Sequence, residues 1–366
     1  MKIPMNRSVI NEYIPDFVSP PGDTLQEILD SIGMSQRNLA ERMGRPYKTI
    51  NEIIKAKTAI TPETAIQLEK VLDIPATFWI NRESIYREHI AKVEDRMRLQ
   101  EHLCWLDNFP IKEMVKFRWI RKFTDKVSQL KELLKFFGVA SPHEWESIYS
   151  DSMIQFRKTK KESDKLPYLL SSWLRQGELQ ARGIELEEYD KNIFYDNLQE
   201  IKNLTNESPD KFVPQMTARC AASGVALVFV PELKGLGVWG ATRFLSNHSG
   251  LIQISLRYKT NDHLWFTFFH EAGHIILHGK NHRFLETDDQ PNGLEDEANT
   301  FARDLLIPPK QYTDFISRRV FSEDSIIKFA DNINIAPGIV VGRLQHDQII
   351  NYKNYNYLKK RYEWST

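Results

Sequence analysis

The segment at 261–278 constrains the fold most, because it places two histidines and a glutamate inside a long apolar run. His270 and His274 are four residues apart, so a helix would turn both imidazoles to one face, as a shared tetrahedral metal requires. Glu271 lies beside them, where its carboxylate can act as the general base of metal-assisted hydrolysis. We therefore predict a helix over this segment, ended by Gly279.

A catalytic zinc needs a third protein ligand and one position left open for water. A second predicted helix, at about 293–306, supplies Glu295 as this ligand and Asn299, one turn later, to hydrogen-bond a ligand imidazole. Glu297 is the alternative third ligand, although residues two apart on a helix do not share a face. His278 continues the four-residue series, and we expect it to support a ligand or line the cleft.

A hydrolytic site also needs a group that stabilises the negative oxygen formed during attack on a carbonyl. Arg257 and His263 are the candidates, with a structural ion pair or a helix cap as the alternative. Two imidazoles and a carboxylate favour Zn²⁺, while Mn²⁺ or Fe²⁺ could use the same ligands. The competing interpretation has no metal site: His270 and His274 are then ordinary helix histidines, and the acidic run 295–297 is a solvated first turn that the helix dipole favours.

The beginning of the chain is predicted to be a bundle of about five short helices, over 24–90. Gly44 separates a helix at 35–43 from one at 46–55, the layout of a helix-turn-helix, whose second helix enters the major groove. Residues 34–60 carry six basic and two acidic side chains. A solvated basic face is the alternative. We predict DNA contacts from Gln36, Arg37, Arg45, Tyr47, Lys48, Thr49, Asn51 and Lys57.

Between these regions, residues 91–210 are predicted to be helical, as a scaffold or a partner contact. Apolar and β-branched runs at Val225–Val230, Val238–Phe244 and Leu251–Leu256 predict three strands of a small sheet.

Composition narrows the class of protein. The 366 residues carry 49 basic and 49 acidic side chains, so no chain-wide field for nucleic acid exists. Two cysteines without a Cys-x-x-Cys pair exclude a thiolate zinc cage, so a metal must rest on histidine and carboxylate. No apolar run is long enough to cross a bilayer, and the first residues lack the layout of a secretory signal. We therefore expect a cytoplasmic protein without a membrane partner.

The stretches TFFHEAGHIILH, EDEANTFARDLLIP and APGIVVGRLQHDQII resemble the ImmA/IrrE family of zinc metallopeptidase-like domains, over residues 225–345. The resemblance implies that His270, His274 and Glu295 bind the metal and that Glu271 is the catalytic carboxylate. Members of this family are often regulators with one narrow protein substrate.

The stretches PPGDTLQEIL, GMSQRNLAERM, INEIIKAK and ITPETAIQLEKVLDIPATFWI resemble the HigA (VapI-like) antitoxin helix-turn-helix family, over residues 20–88. Such domains generally bind operator palindromes as dimers, so the resemblance implies a homodimer.

Together these features predict a multidomain α and α+β chain: a helix-turn-helix domain at 1–90, a helical region at 91–210 and a zincin-like α+β metallopeptidase domain at 211–366. The expected function is a DNA-binding transcriptional regulator whose zinc endopeptidase domain cleaves a specific protein partner. The alternative is a non-enzymatic HigA-type antitoxin or repressor that binds operator DNA and a cognate toxin, with the metal domain as a binding platform.

Overall fold

The computed structural model describes residues 17–149, 165–246, 249–279, 284–285 and 293–364. The chain divides into two compact units, the first ending at Glu101 and the second beginning at His102. Each unit has its own set of buried apolar side chains. Among the described residues, no helix has both the length and the apolar character that a membrane span requires.

Five helices build the described part of the first unit, from residue 17 onward, in agreement with the prediction. They are α1 (Pro21–Ser31), α2 (Gln36–Met43), α3 (Tyr47–Ile54), α4 (Pro62–Leu72) and α5 (Ala76–Glu101). The Ser35 side chain caps α2 by accepting a hydrogen bond from the backbone N–H of Asn38. Gly44 ends α2 with a φ of 63°, a left-handed conformation that costs glycine little and lets the chain turn sharply into α3. The helix-turn-helix layout is thus set by local sequence.

The second unit begins with helices and continues into a sheet. The helices are α6 (Ile111–Lys116), α7 (Lys126–Phe137), α8 (142–149), α9 (Leu166–Ala181), α10 (Lys191–Lys202) and α11 (Pro209–Ala221). The strands are β1 (Val225–Phe229), β2 (Gly240–Ser246), β3 (Ser249–Ile254) and β4 (Phe284–Leu285), in the spatial order β1-β3-β2-β4. β3 pairs with β1 in parallel and with β2 antiparallel, and β4 pairs antiparallel with β2. The first three strands confirm the predicted small sheet.

Helices cover both faces of this sheet. Side chains alternate between faces along a strand, so Val225 and Leu227 of β1 pack into the core shared with α12 (Asn261–His278), whereas Ala226 and Val228 pack on the side of α9. The helix α9 belongs to the predicted middle region, yet here it completes the second unit. The three-domain division with boundaries at 90 and 210 therefore stays a prediction.

The remaining helices follow α12. They are α13 (Gly293–Leu306), α14 (Pro309–Ser317), α15 (Glu323–Asn332) and α16 (Pro337–His346). A Cβ on Gly273 of α12 would lie 3.0 Å from Cδ1 of Phe301 and 3.4 Å from Cα of Ala298, both on α13. This glycine therefore lets the two helices approach closely. Their close approach brings together the residues described next.

Candidate metal centre

The two predicted histidine ligands lie on α12, inside the core of the second unit. His270 and His274 are each 1% exposed, and their rings project from one face of the helix. Their Nε2 atoms lie 2.9 Å apart. The helix begins at Asn261 and ends before Gly279, as the sequence predicted. The four-residue spacing has therefore produced the convergence that a shared ion requires.

Glu295, in the first turn of α13, supplies a third converging atom. Its Oε2 lies 3.1 Å from Nε2 of His270 and 3.5 Å from Nε2 of His274. Among the described residues, these three form the group of histidine, cysteine and acidic side chains that could hold a metal ion. Glu297, the alternative ligand, contacts His278 instead: its Oε2 lies 3.1 Å from Nε2 of that ring.

The spacing of the three atoms can be compared with what zinc demands. Ligand atoms about 2.0–2.1 Å from a tetrahedral zinc ion lie about 3.3 Å from one another. The separations of 2.9, 3.1 and 3.5 Å bracket this value. The donor set of two imidazoles and a carboxylate is also one that leaves a fourth position for water. These residues therefore fit a catalytic type of divalent metal site.

The protonation states suit metal binding at neutral pH. Burial lowers the pKa of His274, which keeps its imidazole neutral. Burial alone would raise the pKa of Glu295, but the imidazoles of His270 and His274 beside its carboxylate outweigh this effect and bring the pKa down to about 2. A neutral imidazole and an ionised carboxylate are the forms that bind a cation.

Further contacts hold the histidine rings at Nδ1, the ring nitrogen that points away from the centre. Nδ1 of His270 lies 3.0 Å from Oδ1 of Asn299, the contact expected from the spacing along α13. Nδ1 of His274 lies 3.0 Å from Nδ1 of His278, whose side chain is 3% exposed. With their Nδ1 atoms held, both rings present Nε2 to the centre.

Glu271 is buried beside the histidines and lies against the sheet. A Cβ on Gly240, the first residue of β2, would come 2.7 Å from Cγ and 2.8 Å from Cδ of Glu271. The backbone carbonyl of Glu271 accepts a hydrogen bond of 3.1 Å from Oγ1 of Thr242. Sequence reasoning missed Gly240, although a glycine within a strand is a signal of close approach by another group.

Of the two oxyanion candidates, Arg257 lies between β3 and α12, and His263 lies in the first turn of α12. An Arg257 guanidinium N–H donates to the carbonyl of Gly237, and the guanidinium lies over the ring of Tyr258, 5.6 Å from its centroid. His263 stacks on the same Tyr258 ring at 4.3 Å, and burial lowers its pKa. These contacts hold both side chains against Tyr258, and a role for Arg257 or His263 at the site stays a prediction.

The predicted DNA-contacting residues separate into exposed and engaged side chains. Arg37, Tyr47, Lys48 and Lys57 are exposed, and Thr49 is half-buried. Other members of the predicted set hold the unit together. Asn51 donates to Gln36 across 3.3 Å, and Arg45 contacts Gln67 and, at 3.3 Å, Glu63 on α4. The exposed set lies on or beside α2 and α3, as the helix-turn-helix layout requires.

Comparison with known protein families gives two matches. A helix-turn-helix family model matches residues 25–79, and a model described as the IrrE N-terminal-like domain, of the peptidase M78 class, matches residues 233–344. The second range includes both histidines and Glu295.

Individual relatives match a short part of the chain. The uncharacterized HTH-type transcriptional regulator YddM of Escherichia coli is 35% identical over 66 residues, 18% of this chain and 70% of that protein. Virulence-associated protein A of Dichelobacter nodosus is 36% identical over 59 residues, 16% of this chain and 58% of that protein. A solved HigA-family antidote protein of Coxiella burnetii shares 25% identity over 23% of this chain and 92% of its own, with a TM-score of 0.21. The chain belongs to the HTH-type transcriptional regulators and joins this helix-turn-helix domain to an IrrE N-terminal-like domain.

Proposed function

We propose that this chain is a DNA-binding transcriptional regulator whose second unit is a zinc-dependent endopeptidase acting on a specific protein partner. The observation that carries the proposal is the convergence of His270, His274 and Glu295 within 4.8 Å of one another, next to the buried carboxylate of Glu271. A structural histidine pair would need neither a third converging ligand nor a second acid beside it.

The residues have distinct roles in this proposal. His270, His274 and Glu295 hold the ion, and zinc when bound polarises a peptide carbonyl and makes water a better nucleophile. Glu271 takes the proton from the attacking water and passes it to the departing amine. The packing of Glu271 against Gly240 keeps its carboxylate in one orientation.

The first unit would direct this activity to a promoter. The exposed side chains of Lys48 and Tyr47 at the beginning of α3 are the groups proposed to reach operator DNA. We propose that two chains bind a palindromic operator in the cytoplasm, because a helix-turn-helix reads one half-site.

The test of the enzymatic part is Glu271→Gln, which replaces one carboxylate oxygen by an amide and preserves size. New protein N-termini are mapped in cells that express wild type, Glu271→Gln or the control Glu185→Gln, an exposed glutamate. We expect wild type and control to produce the same cleavage at one or a few proteins. Glu271→Gln should retain bound zinc and lose this cleavage by about 10²–10⁴-fold. Equal cleavage by Glu271→Gln would contradict the assigned base.

The rival function is a repressor or antitoxin without turnover, and the same variant separates the two. In the rival case Glu271→Gln regulates its operator and neutralises a toxin as wild type does. Under the proposed function, Glu271→Gln binds the operator normally but no longer relieves repression. Operator binding measured alongside excludes a loss caused by misfolding.

A further inference from the structure

We infer that Glu297 and His278 form a hydrogen-bonded relay that fixes the tautomer of His274 and so keeps its Nε2 free of hydrogen for the metal. The relay makes both of them positioning residues. The inference rests on the proposed metal site. It explains why a second carboxylate and a third histidine lie against the ligands without binding the ion themselves.

The relay follows from the donor and acceptor capacity of each group. An ionised carboxylate can only accept, so Nε2 of His278, 3.1 Å from Oε2 of Glu297, must carry the hydrogen. A neutral imidazole has one donor and one acceptor, which leaves Nδ1 of His278 as the acceptor. Nδ1 of His274, 3.0 Å away, must therefore donate. The Nε2 atom of His274 is then the bare nitrogen that a cation needs.

The other ligand histidine is fixed by a shorter route. Oδ1 of Asn299 lies 3.0 Å from Nδ1 of His270 and accepts its hydrogen directly. Both ligand rings thus have the same tautomer, each imposed by an acceptor on α13. Asn299 accepts from His270 directly, whereas Glu297 acts on His274 through the ring of His278.

Burial makes the relay specific rather than a chance surface pair. The side chain of His278 is only 3% exposed, so water cannot readily replace its partners. Glu297 is 61% exposed, and its carboxylate reaches inward to Nε2 of His278. Because Glu297 is largely exposed, it can be replaced without opening a cavity, which makes it the right residue to test.

The first experiment compares Glu297→Ala with Asp296→Ala. Asp296 is an exposed neighbour of equal charge that lies outside the relay, so both variants remove one negative charge near the site. Zinc affinity of the purified full chain is measured by competition with a chromogenic chelator. We expect Glu297→Ala to bind Zn²⁺ about 10–100-fold more weakly than wild type, and Asp296→Ala to stay within about 2-fold. Equal effects of the two replacements would overturn the relay.

The second experiment tests whether Glu297 acts through His278. In His278→Asn, the amide oxygen can stand near the position of Nδ1 and accept from His274, but nothing connects it to Glu297. We expect this variant to bind zinc better than His278→Leu, which offers no acceptor. Adding Glu297→Ala to His278→Asn should cause no further loss. A full additional loss would show that Glu297 acts on the ion by charge alone, and would overturn the relay.

A direct readout is the tautomer of His274 in the metal-free protein, from the ¹⁵N shifts of its ring. Wild type should carry hydrogen on Nδ1, and Glu297→Ala should show a mixture of tautomers. An unchanged tautomer would contradict the inference while leaving the proposed zinc site intact. Wild-type protein that binds no zinc would instead overturn the proposed function and the relay together.

Discussion

Replacing Gly240 by alanine is the sharpest perturbation of the catalytic carboxylate that leaves the metal ligands untouched. The added methyl group would lie 2.7 Å from Cγ and 2.8 Å from Cδ of Glu271, well inside contact distance. Neither partner can withdraw easily. Glu271 is fully buried, and its carbonyl is tied to Thr242 on the same strand as Gly240.

The magnitude follows from two opposing effects. Overpacking a buried site costs about 1–3 kcal/mol, because side chains or backbone must shift. Alanine in a strand recovers about 0.5–1 kcal/mol relative to glycine, since less backbone entropy is lost on folding. We expect Gly240→Ala to lower the free energy of unfolding by up to about 2.5 kcal/mol. Displacement of the Glu271 carboxylate should reduce partner cleavage as strongly as Glu271→Gln does.

Chemical denaturation, zinc content and partner cleavage are measured on Gly240→Ala and on the control Gly250→Ala. Gly250 lies on the neighbouring strand β3, where an added Cβ would come 2.8 Å from Cδ1 at the flexible end of Ile275 and 3.5 Å, an ordinary contact distance, from Cγ2 of Val225. The control should lose little stability and no cleavage, and both variants should bind zinc as wild type does. Wild-type stability and cleavage in Gly240→Ala would refute the packing argument.

Two further predictions concern pH and DNA. The folded-state pKa of His274 lies below its ordinary value, and that of Glu295 is lowered from an ordinary 4.5 to about 2. As pH falls, each group is protonated in the unfolded chain at a higher pH than in the folded chain, so the metal-free protein should lose stability in acid. The loss due to His274 should begin below about pH 6.5, and the loss due to Glu295 should occur between about pH 4.5 and 2. Acid titration of unfolding in Glu295→Gln should lack the lower step, and a step that persists would contradict this assignment. In the first unit, Lys48→Ala should weaken DNA binding and reduce the slope of log affinity against log salt concentration by about one. Arg45→Ala should chiefly lower thermal stability, because Arg45 contacts Glu63 and Gln67 on α4. If Arg45→Ala reduced the salt dependence of binding and Lys48→Ala did not, Arg45 would be the DNA contact instead.

The site was predictable from the sequence where its residues are close along one helix. The separation of His270 and His274 fixes their common face, because the helix repeats every 3.6 residues. Glu295 was predictable because α13 is the next helix along the chain and because Asn299 follows it by one turn. The helix-turn-helix was predictable for the same reason, since Gly44 and the cap at Ser35 act on their own neighbours.

Features that depend on distant parts of the chain were not predictable. Nothing in the local pattern of α9 states that it covers one face of the sheet, since an amphipathic helix shows only that it has an apolar side. The contact between Gly240 and Glu271 depends on how β2 meets α12. The link between Glu297 and His278 likewise needs the position of α13 against α12, and sequence spacing alone left Glu297 as a competing ligand.

The close packing of α12 and α13 also determines what the metal contributes. Gly273 lets α12 come within contact distance of Phe301 and Ala298 on α13, and α12 buries large side chains of its own, such as Phe268 and Phe269. These contacts are apolar and involve none of the metal-ligand atoms, so burial of apolar surface helps to hold the ligands near one another. A site prepared in this way differs from a small zinc finger, in which the metal supplies the folding free energy. In this unit, apolar packing therefore contributes folding free energy that a small zinc finger would have to obtain from its metal.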